Sequence, residues 1–128
     1  MSDWRHIAAL IVPELKHRIL LLKGNLGAGK TTFTQFLMKE LNSSDEVTSP
    51  TYSIVNEYET PEGSVFHFDL YRLNDISEVY DIGMDEYLEK GRLSVIEWPE
   101  IFEADLEGLH FHTVSIENKG DFRELLMQ

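Results

Sequence analysis

Hydrophobic positions change their spacing along this chain, and each change marks a new element. Near the start, Ile7, Leu10 and Ile11 share one helical face. They predict a helix over Asp3 to Leu15, with Ser2 or Asp3 as its cap and Pro13 as its break. Residues 18–23, Arg18-Ile19-Leu20-Leu21-Leu22-Lys23, form an apolar run of strand length. From about 29 to 41 the period is helical, with Phe33, Phe36, Leu37 and Leu41 as the buried stripe. Asn42 to Asp45 is loop, and the second half of Val47 to Tyr58 alternates as a strand does. Thr60-Pro61-Glu62-Gly63 is a hairpin turn signal, with Ser64 to Asp69 as the returning strand. Residues 75–90 read as helical, broken near Gly83 and ended by Gly91. Leu93 to Glu97 reads as a buried strand that ends in an acid, and His110 to Ile116 alternates as an outer strand would. The tail from Asp121 predicts no element. Strands interleaved with helices over 128 residues predict one α/β domain spanning residues 1–128.

Composition narrows the class without naming a chemistry. At 42% hydrophobic the chain can build a core, and it carries no repeat or low-complexity segment. No apolar run reaches membrane-spanning length, and Met1 to His6 lacks the basic start and apolar core of an export signal. Without cysteine there is no disulfide framework and no thiolate zinc site. A cytoplasmic location is the expectation. The net charge of −12 is unevenly spread: residues 1–39 carry six Lys/Arg against two Asp/Glu, and residues 40–128 carry five against 21. The acidic portion disfavours strong direct nucleic-acid binding by counterion release. It suits a basic protein partner, although it also serves solubility.

The chemistry enters at Gly24-Asn25-Leu26-Gly27-Ala28-Gly29-Lys30-Thr31-Thr32, which fits the P-loop pattern of Gly, four residues, Gly-Lys-Thr. The run before it is a strand and the run after it a helix, as the motif requires. Glycines let consecutive backbone N–H groups turn inward, and the helix adds its positive end. Lys30 supplies a mobile charge for the outer phosphates, and the Thr31 hydroxyl is placed to ligate Mg²⁺. A dinucleotide fingerprint does not fit glycines at 24, 27 and 29.

Such a site needs a second acid, and two predicted strands end in one, at Asp69 and at Glu97. Glu97 has the better Walker B form because Val95 and Ile96 precede it in an apolar run. His67, two residues before Asp69, reads as a packed or half-exposed side chain rather than a catalytic base. Histidine is also the wrong ligand for Mg²⁺. Arg72 reads as an arginine finger or a salt-bridge partner, and Trp98 as a stacking platform or a core residue. Thr48-Ser49-Pro50-Thr51 is hydroxyl-rich. It is either a turn feeding a strand, which composition favours, or a switch that senses a γ-phosphate. Asn118-Lys119-Gly120-Asp121 matches the guanine-reading motif of small GTPases. However, Arg72 stands where those proteins place a glycine after the Walker B acid, and only seven residues follow Asp121, so GTP stays the lesser alternative.

Four stretches in order carry a family resemblance: Gly24 to Phe33, Thr48-Ser49-Pro50-Thr51-Tyr52, His67-x-Asp69-Leu70-Tyr71-Arg72-Leu73, and Ile96-Glu97-Trp98-Pro99-Glu100. Over about residues 18 to 100 the chain resembles the bacterial TsaE family, also called YjeE. The resemblance implies a P-loop NTPase-like three-layer fold with a mixed central sheet. It implies an ATPase in threonylcarbamoyl modification of tRNA adenosine 37, acting with TsaB and TsaD, with ATP, its product ADP and Mg²⁺ at the site. Asn25, Leu26, Gly27, Ala28, Gly29, Lys30, Thr31 and Thr32 then hold phosphates. Ser49 and Thr51 belong to the switch, which reverses the compositional preference. Thr31, Glu97 and Asp69 are the magnesium residues, and Asp69, Glu97 and Lys30 the catalytic ones. The runner-up is a small-molecule P-loop kinase, and a third class is a nucleotide-gated binding module without turnover.

Overall fold

A computed structural model describes residues 2–24, 29–45, 54–106, 108–118 and 123–127. The first helix, α1 (Ser2–Ile11), gives way at Pro13 to a single 3₁₀ turn, Val12–Glu14. Its inward face is not quite the expected one. Ala8 and Ile11 are buried, Ile7 half so, and Leu10 faces solvent. Then follow β1 (Ile19–Lys23), α2 (Lys30–Glu40), β2 (Val55–Thr60) and β3 (Gly63–Asp69). The helical stretch predicted over 75–90 is two short helices, α3 (Ile76–Asp81) and α4 (Met84–Lys90). Gly83 separates them at φ +88°, a conformation that favours glycine. The Asp75 side chain caps α3 by accepting from the Ser77 N–H at 3.1 Å. Last come β4 (Leu93–Glu97), β5 (His112–Asn118) and β6 (Arg123–Met127).

Among the described residues the strands form one six-stranded sheet in the order β2-β3-β4-β1-β5-β6. The four inner strands are parallel, and the two edges pair antiparallel. β1 lies near the middle, and Ile19, Leu20, Leu21 and Leu22 are all buried. A run with no polar alternation is what a parallel strand covered on both faces requires. Leu20 and Leu22 join Phe33, Leu37 and Met38 of α2 and Ile11 of α1 on one side. Leu21 joins Phe68, Ile96, Val79 and Met84 on the side of α3 and α4. This is a three-layer α/β fold with a mixed sheet.

Two expectations are overturned at the C-terminal end. The strand predicted over 110–116 is an inner one, between β1 and β6, and the tail that predicted no element supplies β6. Alternation misled because β5 buries Val114 and Ile116 on the α2 side. His112 is also buried, and its Nε2 accepts the backbone N–H groups of Lys16 and His17 at 2.9 and 3.2 Å. A polar residue at an inner-strand position reads as solvent-facing until such partners are known. Asn118 pairs with Arg123, so the stretch resembling a guanine motif joins two antiparallel strands; Lys119, Gly120 and Asp121 lie outside the described residues. Among the described residues no helix is long and apolar enough to cross a membrane.

The junction of α4 with the sheet is tight at Gly91, where a Cβ would lie 2.7 Å from Cδ2 of the buried Phe66 ring. Gly91→Ala is expected to lower unfolding stability by about 1–3 kcal/mol through overpacking. Chemical denaturation checks this, and an unchanged midpoint would contradict the packing described.

Candidate active site

The site lies where β1 ends and α2 begins. Gly24 follows the strand; Asn25, Leu26, Gly27 and Ala28 lie outside the described residues. Gly29 stands at φ +107°, ψ +18°, as the residue before the helix, and has no side chain with which to cap it. The first backbone bond of the helix runs from Phe33 N–H to the Gly29 carbonyl at 2.8 Å. The earlier N–H groups of the first turn therefore point out of the helix with its positive end. Lys30 is the first helical residue, and Thr31 and Thr32 follow it, half-buried.

Both candidate acids converge on this point because of strand register. Glu97 pairs with Leu22 of β1 on one side and with Asp69 of β3 on the other. In β4, Leu93 and Val95 face the α2 layer, so Glu97, two residues on, faces it too. By the same parity Val65, His67 and Asp69 of β3 face α2. Glu97 is 4% exposed and His67 0%. His67 Nε2 hydrogen-bonds Glu97 Oε2, and its Nδ1 meets the Tyr58 hydroxyl at 3.3 Å. Of the two readings of His67, packed or half-exposed, the structure shows the packed one, with Val65, Phe66 and Phe68 buried beside it.

The charges here sit uneasily. Burial pushes the Asp69 carboxyl above its ordinary range, and the neighbouring Glu97 adds to this. The Tyr71 N–H, donated to Asp69 Oδ1 at 3.0 Å, pulls the other way. Burial likewise pushes the Lys30 ammonium below its ordinary value, while Glu97, Asp69 and Glu100 oppose that shift. Lys30 Nζ donates to the Gly24 carbonyl at 2.8 Å and lies 3.8 Å from the centre of the Trp98 ring. Trp98 is at φ +54°, a left-handed conformation unusual for a bulky residue. Its ring also packs on Tyr71, with centroids 4.8 Å apart. Trp98 is thus a platform for Lys30.

The structure brings together Gly29, Lys30, Thr31, Thr32, Asp69 and Glu97 of the expected site. Ser49 and Thr51 lie outside the described residues, but Ile54, just after them, accepts the Asp69 N–H at 2.9 Å. Arg72 is exposed. Sequence reasoning missed Tyr58 and the bond of His67 to Glu97. Strand parity was the available signal, since His67 is two residues from Asp69 and the hairpin sets Tyr58 opposite Val65. Among the described residues no group of three or more His, Cys, Asp or Glu could hold a metal ion. Mg²⁺ held by phosphates needs only one or two carboxylates and a hydroxyl. Thr31, Asp69 and Glu97 are oxygen donors of that kind.

The family of threonylcarbamoyl adenosine biosynthesis protein TsaE matches residues 2–125 of this chain. The chain belongs to the TsaE family. A TsaE protein of Rickettsia prowazekii is 38% identical over 104 residues, covering 80% of this chain and 72% of its own length. One from Aquifex aeolicus is 45% identical over 102 residues, covering 77% and 71%. Both are named tRNA threonylcarbamoyladenosine biosynthesis proteins. The crystal structure of Bacillus subtilis YdiB superposes with a TM-score of 0.70 at 29% identity, covering 98% of this chain and 77% of YdiB. TsaE membership thus rests on nearly the whole chain and extends to the fold.

Because the native state holds the Asp69 proton more tightly than the unfolded chain does, ionising Asp69 costs stability. Stability falls as pH rises from the ordinary value of 3.8 through the raised one, and the cost is fully present above both. Asp69→Asn keeps an acceptor for the Tyr71 N–H and removes the charge. It is expected to raise the melting temperature of the nucleotide-free protein at pH 7, with the gain shrinking as pH approaches the ordinary carboxylate range. Thermal denaturation across pH tests this, and a loss of stability at pH 7 would contradict it.

Proposed function

We propose that this chain is a magnesium-dependent ATPase of low intrinsic turnover that supports threonylcarbamoyl modification of tRNA adenosine 37, acting with TsaB and TsaD in the cytoplasm. One observation carries the reading: the uncapped start of α2, with Lys30 and Thr31, stands beside two acids delivered by adjacent parallel strands. TsaE family membership supplies the process.

In this reading the backbone of residues 24–30 and the Lys30 ammonium hold the β- and γ-phosphates of ATP. Lys30 exchanges the Gly24 carbonyl for phosphate oxygens and keeps the face of Trp98 within reach. Thr31, Glu97 and Asp69 would hold Mg²⁺, which neutralises developing phosphate charge. The same two carboxylates orient the attacking water, and ADP is the product. Ser49 and Thr51, which precede β2 in the sequence, sense the γ-phosphate and pass its state to a partner. The net charge of −16 over residues 40–128 argues for action through proteins rather than through direct hold on tRNA.

Lys30→Ala is expected to abolish stabilisation by ATP. At one hundred times the dissociation constant, that stabilisation is about 2.7 kcal/mol in the wild type, or a melting shift of about 10 °C. An unchanged shift in the variant would overturn the phosphate assignment. Glu97→Gln is expected to keep ATP binding and lose Mg²⁺-dependent hydrolysis in the presence of TsaB and TsaD. Normal turnover would move the role to Asp69, and phosphorylation of a small acceptor without partners would favour a kinase instead.

A further inference from the structure

Tyr58, His67 and Glu97 come from three adjacent strands, β2, β3 and β4, and all three are buried. Each lies on the α2 side of the sheet, Tyr58 within the same apolar cluster as Val65 and Val95. A carboxylate only accepts hydrogen bonds, so His67 Nε2 carries the proton shared with Glu97 Oε2. That tautomer leaves Nδ1 to accept the Tyr58 hydroxyl at 3.3 Å. The same hydroxyl oxygen accepts from Asn56 Nδ2 at 3.5 Å. The result is a directed chain, Asn56 to Tyr58 to His67 to Glu97, running from the sheet edge to the site.

His67 pairs in register with Val95, two residues before the Asp69 and Glu97 pair and on the same face. It is fully buried there, and among the described residues its two ring nitrogens meet Glu97 and Tyr58. The two acids are held differently. Asp69 is held by a backbone N–H two residues on, which the local turn supplies whatever the side chains nearby. Glu97 has a longer side chain with more freedom, and it is held by a side chain from another strand. A buried carboxylate fixed through one oxygen presents the other in one direction, as carboxylates do when an outer partner orients them.

We propose that His67 is a positioning residue for the nucleotide site, fixing the Glu97 carboxylate, with Tyr58 fixing His67 in turn. This rests on the ATPase reading above. A packing role would need only an apolar side chain of similar size, whereas a positioning role needs a donor where Nε2 stands. His67→Leu supplies the first and His67→Gln the second.

The test uses the full chain with ATP and Mg²⁺, in the presence of TsaB and TsaD for turnover. His67→Leu is expected to lower kcat about 10–100-fold, with the ATP dissociation constant measured without Mg²⁺ within twofold of wild type. The extra melting shift that Mg²⁺ adds to bound ATP should be lost in His67→Leu and largely restored in His67→Gln. Tyr58→Phe, which removes only the hydroxyl, should move both quantities in the same direction by less, and it carries the test if His67→Leu does not fold. Wild-type kcat and Mg²⁺ response in His67→Leu would overturn the proposal. So would equal losses in the Leu and Gln variants that follow the melting temperature of the nucleotide-free protein. A wild type that shows no nucleotide-dependent melting shift would overturn the ATPase reading itself, which separates the two failures.

Discussion

Glu97 stands between Leu22 of β1 and Asp69 of β3, and what the site can do depends on that parallel register. A shift of one residue in either pairing would turn an acid away from α2 and into the layer beneath. The register is held by apolar burial rather than by the site. Leu20 and Leu22 on one face of β1 and Leu21 on the other each pack into a separate layer, so a slip would have to repack both. The sheet fixes the acids, β1 fixes where the glycine loop begins, and α2 packs through Phe33, Leu37 and Met38 so that its first turn faces both.

Against this support, the site gathers groups that the fold does not favour in their charged forms. Burial works against the ionised states of both Asp69 and Lys30. Trp98 holds a left-handed backbone conformation while covering Lys30. These costs sit together where a polyanion and a divalent cation would relieve them: a cation would answer the acids, and phosphates would answer Lys30. A core built on three layers can carry such a site, since the destabilising groups are few and the apolar clusters large.

Much of this was legible beforehand, for a physical reason. The apolar run Ile19 to Leu22 and the mostly apolar Leu93 to Ile96 have the length and content of buried strands, and each leads directly to a candidate site residue. Thr60 to Gly63 announced its hairpin. What stayed hidden depends on partners distant in sequence. The inner place of β5 is set by pairing with β1 over ninety residues away, and its alternating pattern resembles that of an edge. β6 exists because β5 offers it a side to pair with. His67 looked ambiguous because its hydrogen-bond partner Glu97 lies thirty residues on. Trp98 meets Lys30 only after both strand ends and the helix start are in place.

The central claim, that the loop before α2 and the acids of β3 and β4 form one nucleotide site, is tested most directly by a crystal structure with a non-hydrolysable ATP analogue and Mg²⁺. The expected result has the triphosphate at the first turn of α2, Lys30 Nζ moved from the Gly24 carbonyl to phosphate oxygen, and the metal facing Thr31 and at least one of Asp69 and Glu97. A nucleotide bound elsewhere, or one bound here with Lys30 still on the Gly24 carbonyl and both acids turned away from the metal, would contradict it.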